Sequence, residues 1–278
     1  MKAIFDNVSA SCSKATTQAY STSFSLGIYF LDVKMRKPIY GIYGFVRIAD
    51  EIVDSFHDYD KKYLLQKLRS DTEEAIKLRI STNPILNSFQ EVVHEYKIEW
   101  KLIDTFLKSM EMDLIKNEHS PETYREYIFG SAEVFGLMCL KVFTKGNTEL
   151  YNHLKASAMK LGAAFQKVNF LRDINADYEF LGRSYFPEIN FNCFTSQQKE
   201  QIQSEIEADF KEGLIGIKKL PIEARRGVYL AYFYYQKLFS KIKRLPPEKV
   251  MQTRIRIPNG TKIGLMFNSL CRIQFNAL

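Results

Sequence analysis

Residues 161–187 read LGAAFQKVNFLRDINADYEFLGRSYFP, and they constrain the fold more than any other stretch of the chain. Gln166, Asn169, Asp173 and Asp177 follow one another at steps of three, four and four. Those steps keep side chains on one face of an α-helix. The other positions are filled by Phe165, Val168, Phe170, Leu171 and Ile174, which predicts a helix buried among other helices. A core does not leave carboxylates unpartnered. Aligned amide and carboxylate oxygens suit a hard cation such as Mg²⁺, which takes a few protein oxygens and completes its shell with water and phosphate.

The pattern occurs twice. In IYGIYGFVRIADEIVDSF, Tyr43, Arg47, Asp50 and Asp54 sit at steps of four, three and four, among Ile42, Phe45, Val46, Ala49, Ile52 and Val53. One acidic pair four residues apart is usually solvated surface. Two such pairs, each embedded in an apolar helix, favour a shared site over two unrelated salt-bridged faces.

DEIVD at 50–54 and NFLRDINAD at 169–177, followed by GRSYFP at 182–187, resemble the two aspartate-rich motifs of the squalene/phytoene synthase family. These enzymes join two prenyl diphosphates head to head. The resemblance extends over nearly the whole chain, with YSTSF at 20–24 before the first motif and an Arg/Lys-rich tail after the second. One position departs from it: the family usually carries an acid just before the last Asp, where this chain has Ala176. Asp173 and Asp177 are kept, so metal binding is still expected, and the departure bears only on its affinity.

The resemblance implies an all-α fold, a single large helical bundle of the isoprenoid synthase type with a central cavity, spanning 1–278 as one domain. It implies two or three Mg²⁺ ions held by Asp50, Asp54, Asn169, Asp173 and Asp177. Asp50, Asp54, Asp173, Asp177, Arg47 and Tyr43 form the expected catalytic set. Ser21, Thr22, Ser23, Phe24, Tyr127, Gln166, Arg172, Arg183, Tyr185, Tyr235, Arg254 and Lys262 are the expected substrate-binding positions. For the hydroxyls at 21–23 the ordinary alternative is back-bonding to their own helix. Arg47 and Arg172 could merely balance neighbouring carboxylates. Met110, Met112 and Asp113 are similar to a family segment of the form MxMD, although alone such a stretch is more often core than site.

Composition bounds the rest. Hydrophobic residues make up 46% and charged residues 26% of the 278 positions, the balance of a soluble globular chain. Cys12, Cys139, Cys193 and Cys271 are far apart and match no metal-binding spacing, so free thiols in a reducing compartment are expected. Neither a signal peptide nor a membrane span is evident, and no hydrophobic anchor is expected after the basic tail. A cytoplasmic protein is expected. Between Lys237 and Lys262 eight basic residues stand against Glu248 alone, which accounts for the whole net charge of +7. A phosphate-binding lid, an anionic-lipid patch and a nucleic-acid face compete for that tail. No nucleic-acid-binding motif accompanies it, so nucleic acid is not an expected partner, whereas peripheral contact with anionic membrane is.

Roughly ten helices are expected. One runs over 5–29, and the next is opened by Lys37-Pro38 and fades at 57–60. Others cover 63–80, 84–95 and 100–115. Ser120-Pro121 starts a further helix by capping, which continues through 124–143. The central helix spans 148–177 and is ended by Gly182. Two more cover 196–214 and 221–244. Gly130, Ser131, Gly136, Gly162, Ala163 and Ala164 would leave a tunnel roomy if they face it. The expected reaction is coupling of two geranylgeranyl diphosphates to phytoene through a cyclopropylcarbinyl diphosphate, in carotenoid biosynthesis, with NADPH not expected. The alternatives are a squalene or dehydrosqualene synthase acting on farnesyl diphosphate, and a non-catalytic relative of the family. Terpene cyclases and chain-elongating prenyltransferases share the metal logic, but the motifs fit them less closely.

Overall fold

Many helix starts in this chain are fixed by capping side chains. Asp32 accepts from Lys34 N, Asp60 from Tyr63 N, Asn83 from Ile85 N, Ser120 from Thr123 N, and Asn147 from Leu150 N. Thr195 and Gln198 form a reciprocal capping box. A computed structural model describes residues 1–115, 118–187, 189, 194–257 and 264. Among them twelve α-helices follow in order: α1 (Lys2–Tyr20), α2 (Thr22–Tyr29), α3 (Val33–Ser55), α4 (Lys61–Leu78), α5 (Pro84–Tyr96) and α6 (Trp100–Ile115). The chain continues with α7 (Pro121–Ile128), a π-helical turn (Phe129–Glu133), α8 (Val134–Phe143) and α9 (Thr148–Leu181). It closes with α10 (Ser196–Lys219), α11 (Ile222–Lys243) and α12 (Pro247–Gln252). The described residues contain no strand, only an isolated bridge between Glu118 and Ser184. The all-α expectation holds.

Several boundaries differ from the sequence reading, each for a local reason. The first helix is broken at Ser21, whose extended backbone (φ −144°, ψ 98°) lets its hydroxyl accept from Phe24 N and start α2. Pro38 lies inside α3, because the Asp32 cap starts that helix earlier. Segment 124–143 is interrupted by the π turn at 129–133. The central helix continues to Leu181, and α10 runs on to Lys219.

Packing sets the direction of every element around the cavity. Lys167 pairs with Asp209 at 2.6 Å, and Gly213 and Gly216 lie against Leu161 and Ser157, so α10 runs antiparallel to α9. Lys199 reaches the carbonyl of Lys243 at 3.0 Å, so α11 turns back again alongside α9. On the other side Gly162 meets the Ala132 carbonyl and Gly136 that of Ala158, bringing the π turn and α8 close against α9. α3 begins beside α11, where Asp32 N donates to the Glu223 carbonyl at 2.9 Å, and ends beside Arg183. Phe45 stacked on Phe89 at 4.1 Å centres the core of α3, α5 and α6. A second core joins Val168, Leu171, Phe210 and Leu238. Both aspartate-bearing helices therefore carry their carboxylates toward the same end of the bundle.

Candidate active site

α3 and α9 bring the carboxylates together. Asp50 is pushed up to about 7, first by burial and then by the Asp54 carboxylate, with the Arg47 guanidinium pulling the other way. Asp177 is pushed up to about 8 by burial and by Asp173 and Asp54. Each thus senses acids on the opposite helix or on its own. Such a concentration of oxygen donors is chemically suited to a hard divalent cation. Among the described residues no three His, Cys, Asp or Glu side chains form a ready-made metal cage. Instead, guanidinium groups sit on the acids.

Arg183 donates to Asp54 at 2.7 Å and to the Val53 carbonyl at 3.2 Å. Arg172 holds Asp173 through two bonds of 3.0 and 2.5 Å, and Arg254 adds a contact of 2.8 Å to the same carboxylate. Arg47 pairs with Asp50 and Glu51, while the Tyr20 ring lies 4.2 Å from its guanidinium carbon. Its Nε is buried without a partner. Four arginines on the rim of a carboxylate cluster make a surface able to take up a diphosphate together with its cations.

The amide part of the stripe is also wired. Tyr235 donates to Asn169 Oδ1 at 3.1 Å, Asn169 to Gln166 at 3.4 Å, and Gln166 to Ser131 at 3.5 Å. Phe24 stacks on Tyr43 at 4.8 Å, and burial pushes the Tyr43 phenol up to about 12, with Ser21 as its hydrogen-bonding neighbour. Ser21 acts as the cap of α2, Ser23 is half-buried, and Thr22 is exposed. Lys262 lies outside the described residues, as do Cys193 and Cys271.

The fold puts two further residues at the centre: Asp113, whose MxMD segment reads from sequence as more often core than site, and His119. Asp113 on α6, buried with 7% exposure, accepts from Tyr127 at 2.7 Å and from Tyr185 at 3.2 Å, with Arg183 3.9 Å away. Burial pushes it up to about 7 against the pull of Arg183. His119 is buried with its ring stacked on Tyr185 at 5.7 Å. The MxMD spacing was the available signal for Asp113; for His119 there was none.

From this charged end an apolar cavity runs between α2, α8, α9, α10 and α11, with about 820 Å³ of empty space including its open part. Along α9 its wall extends from Phe165 to Leu154, about 16 Å at 1.5 Å per residue. Of the small residues expected to face it, only Gly136 and Gly162 line it. Gly130 packs on Ser109, and Ala163 and Ala164 lie in the core. Helix rotation decides this, and spacing alone does not reveal it. Gly27, Gly213, Gly216 and Gly227, with Ala158 and Ala231, also line it, and Gly213, Gly216 and Gly227 are small because a neighbouring helix lies against them.

A helical bundle with facing carboxylate helices at the head of an apolar cavity is the architecture of an isoprenoid synthase. Residues 17–261 match squalene/phytoene synthase, and the chain belongs to that family of head-to-head condensing prenyltransferases. It is 28% identical to a 4,4'-diapophytoene synthase of Staphylococcus haemolyticus over 66% of this chain, and spans 64% of that relative's length. It is 24% identical to a phytoene synthase of Rhodobacter capsulatus over 90% of this chain and 77% of the relative. In fold it is similar to a dehydrosqualene synthase crystallised with a ligand, at TM-score 0.80 and 18% identity over 97% of this chain and 98% of that one. Squalene synthase HpnC from Alicyclobacillus acidocaldarius superposes at TM-score 0.75 and 19% identity, over 87% and 95% of the two chains.

Proposed function

We propose that this protein condenses two prenyl diphosphates head to head, and that its substrate is geranylgeranyl diphosphate, giving phytoene without a reductant. One observation carries the reading. α9 lines the apolar cavity up to Phe165 and, one turn later, presents Asn169 and then Asp173. A prenyl chain lying in the cavity would leave its diphosphate at the acids and arginines.

Arg47, Arg172, Arg254 and Tyr235 bind and orient the diphosphate oxygens, and Gln166 lies beside the reacting carbons. Mg²⁺ held by Asp50, Asp54, Asn169, Asp173 and Asp177 would neutralise charge on the leaving diphosphate. Phe24, Phe135 and Phe165 line the cavity next to that point; their faces tolerate an allylic cation and exclude the water that would quench it. Once the first diphosphate has left, the C2=C3 double bond of the second prenyl chain attacks C1 of the allylic cation, and loss of a proton from that carbon closes the second carbon–carbon bond of the ring, giving a cyclopropylcarbinyl diphosphate. Loss of its diphosphate, rearrangement and a second proton loss yield the triene without any change of oxidation state from outside.

The apolar wall that runs along α9 from Phe165 to Leu154 supports a long prenyl chain. Each further buried methylene contributes about 0.8 kcal/mol. A second reading, farnesyl diphosphate and a C30 product, has its own support: Leu31, Phe143 and Leu220 line the far part of the cavity, and the diapophytoene and dehydrosqualene synthases above carry names that place them there. Product analysis with each diphosphate and Mg²⁺, with and without NADPH, decides. Phytoene from the C20 substrate alone is the expected result. C30 products only would move the chain to the second reading, and no product from either would remove both.

A further inference from the structure

The structure assigns a second surface to this protein: a bilayer-docking face at the end of the bundle remote from the aspartates, specific for anionic lipid. That end is built from the end of α2, the turn into α3, the connection from α8 to α9, and the corner between α10 and α11. Three large apolar side chains stand in solvent there, Tyr29 with 60%, Val33 with 71% and Ile222 with 46% of their surface exposed. They belong together. The bond from Asp32 N to the Glu223 carbonyl, 2.9 Å, joins the residues next to Val33 and Ile222, and Arg36 lies 4.9 Å over the Tyr29 ring while donating to the Leu31 carbonyl.

Cations surround them. Over residues 32–36, 145–149 and 218–226 there are seven Lys and Arg against three Asp and Glu. Of those acids Asp32 caps α3 and Glu223 pairs with Lys145 at 2.9 Å. Lys34, Lys218, Lys219 and Arg226 are exposed. Apolar side chains that insert shallowly, a tyrosine able to sit at the headgroup level, and long cationic side chains around them match the boundary of an anionic leaflet.

The basic tail is a competing candidate for the same role, but three of its cations are already engaged. Arg254 lies on Asp173, Lys243 on Glu207, and Lys241 donates to the Arg256 carbonyl at 2.8 Å. The remote end also adjoins the cavity. Leu31 and Leu220 line it and stand one residue from exposed Asp32 and two from exposed Ile222. Docked there, the protein would turn the apolar part of its cavity toward the bilayer and its diphosphate site toward water. For a hydrocarbon product, which rests on the reaction proposed above, that is the phase in which it dissolves.

The test is flotation of the full chain with phosphatidylglycerol-containing vesicles and with phosphatidylcholine vesicles at low salt. The wild type is expected to float with the anionic vesicles only. Val33→Asp combined with Ile222→Asp, and separately Lys218→Glu combined with Arg226→Glu, are expected to lower the partition coefficient at least about tenfold. Arg244→Glu combined with Lys249→Glu, on the tail, is expected to leave it unchanged. Thermal melts of the variants and turnover in detergent, both expected at wild-type level, separate lost docking from lost folding. Flotation involves no turnover, so its outcome is independent of the substrate assignment. The proposal is overturned if the wild type binds neither vesicle, if binding ignores lipid charge, or if the tail variant alone loses binding. It is equally overturned if the Val33 and Ile222 variant merely dissociates a dimer of this chain.

Discussion

Arg183, just beyond the end of α9, donates to Asp54 near the end of α3 at 2.7 Å, with only 7% of its own side chain exposed. The same guanidinium stands 3.9 Å from Asp113 and 3.4 Å from the Tyr185 hydroxyl. One cation thereby joins the two aspartate-bearing helices to Asp113 and the buried Tyr185. Removing a buried partner strands the charge it balanced. Arg183→Ala is therefore expected to destabilise the fold by about 3 kcal/mol, and Arg183→Lys by less, measured by urea denaturation. A loss below about 0.5 kcal/mol for the alanine variant would show that the link is not structural.

Asp50 and Asp173 should separate activity from stability. Asn in place of either keeps the shape and removes an anionic donor from a crowded cluster. Turnover is expected to fall at least about 100-fold, as it should on chelation with EDTA. Circular dichroism should be unchanged, and the melting temperature of Asp50→Asn at pH 8 equal to or above wild type. Undiminished turnover in either variant, or indifference to EDTA, contradicts their assignment as ligands.

The raised carboxyls give stability a definite pH dependence. Asp50 and Asp113 near 7 and Asp177 near 8 all lie above the ordinary aspartate value of 3.8. Between those values the folded state holds more protons than the unfolded one, so unfolding free energy falls as pH rises. The metal-free melting temperature should decline from about pH 5 to about pH 8, and Mg²⁺ with diphosphate should flatten the decline. Asp113→Asn should flatten it without added metal. A melting temperature that rises over this window would refute the clustering of these acids.

Gly227 gives a packing test. A Cβ there would stand 2.5 Å from the Gly27 carbonyl oxygen and equally close to Leu31. Backbone cannot yield as a side-chain end can, so Gly227→Ala is expected to cost about 1–3 kcal/mol. Gly182→Ala meets open space but has φ +63°, and about 1 kcal/mol is expected there from backbone strain alone. Equal melting temperatures for wild type and Gly227→Ala would mean that α2 and α11 are not so closely apposed.

The helices that matter were legible because their apolar periodicity and their caps are local. The stripes at Asp50/Asp54 and Asp173/Asp177 needed only helical spacing to be seen. What spacing cannot supply is rotation between neighbours. Ala163 and Ala164 were counted toward a tunnel although they face the second core, whereas Gly213 and Gly227, which do line it, drew no notice. Asp113 is left undecided for the same reason. An acid in an MxMD segment reads more often as core than as site until Tyr127, Tyr185 and Arg183, from two distant segments, are placed around it. At the break, Phe24 N donates to the Ser21 hydroxyl, a local bond that competes with simple continuation of the helix.

α9 is one uninterrupted helix of 34 residues, and both the cavity wall and the oxygen stripe are ruled along it. Each residue added or removed between Leu154 and Asn169 would turn one against the other by about 100°. Chain-length selection in a protein built this way cannot change by insertion or deletion in that helix without misaligning the chemistry. It is open to change only by exchanging side chains in place, or by remodelling α2, α10 and α11 around a fixed ruler.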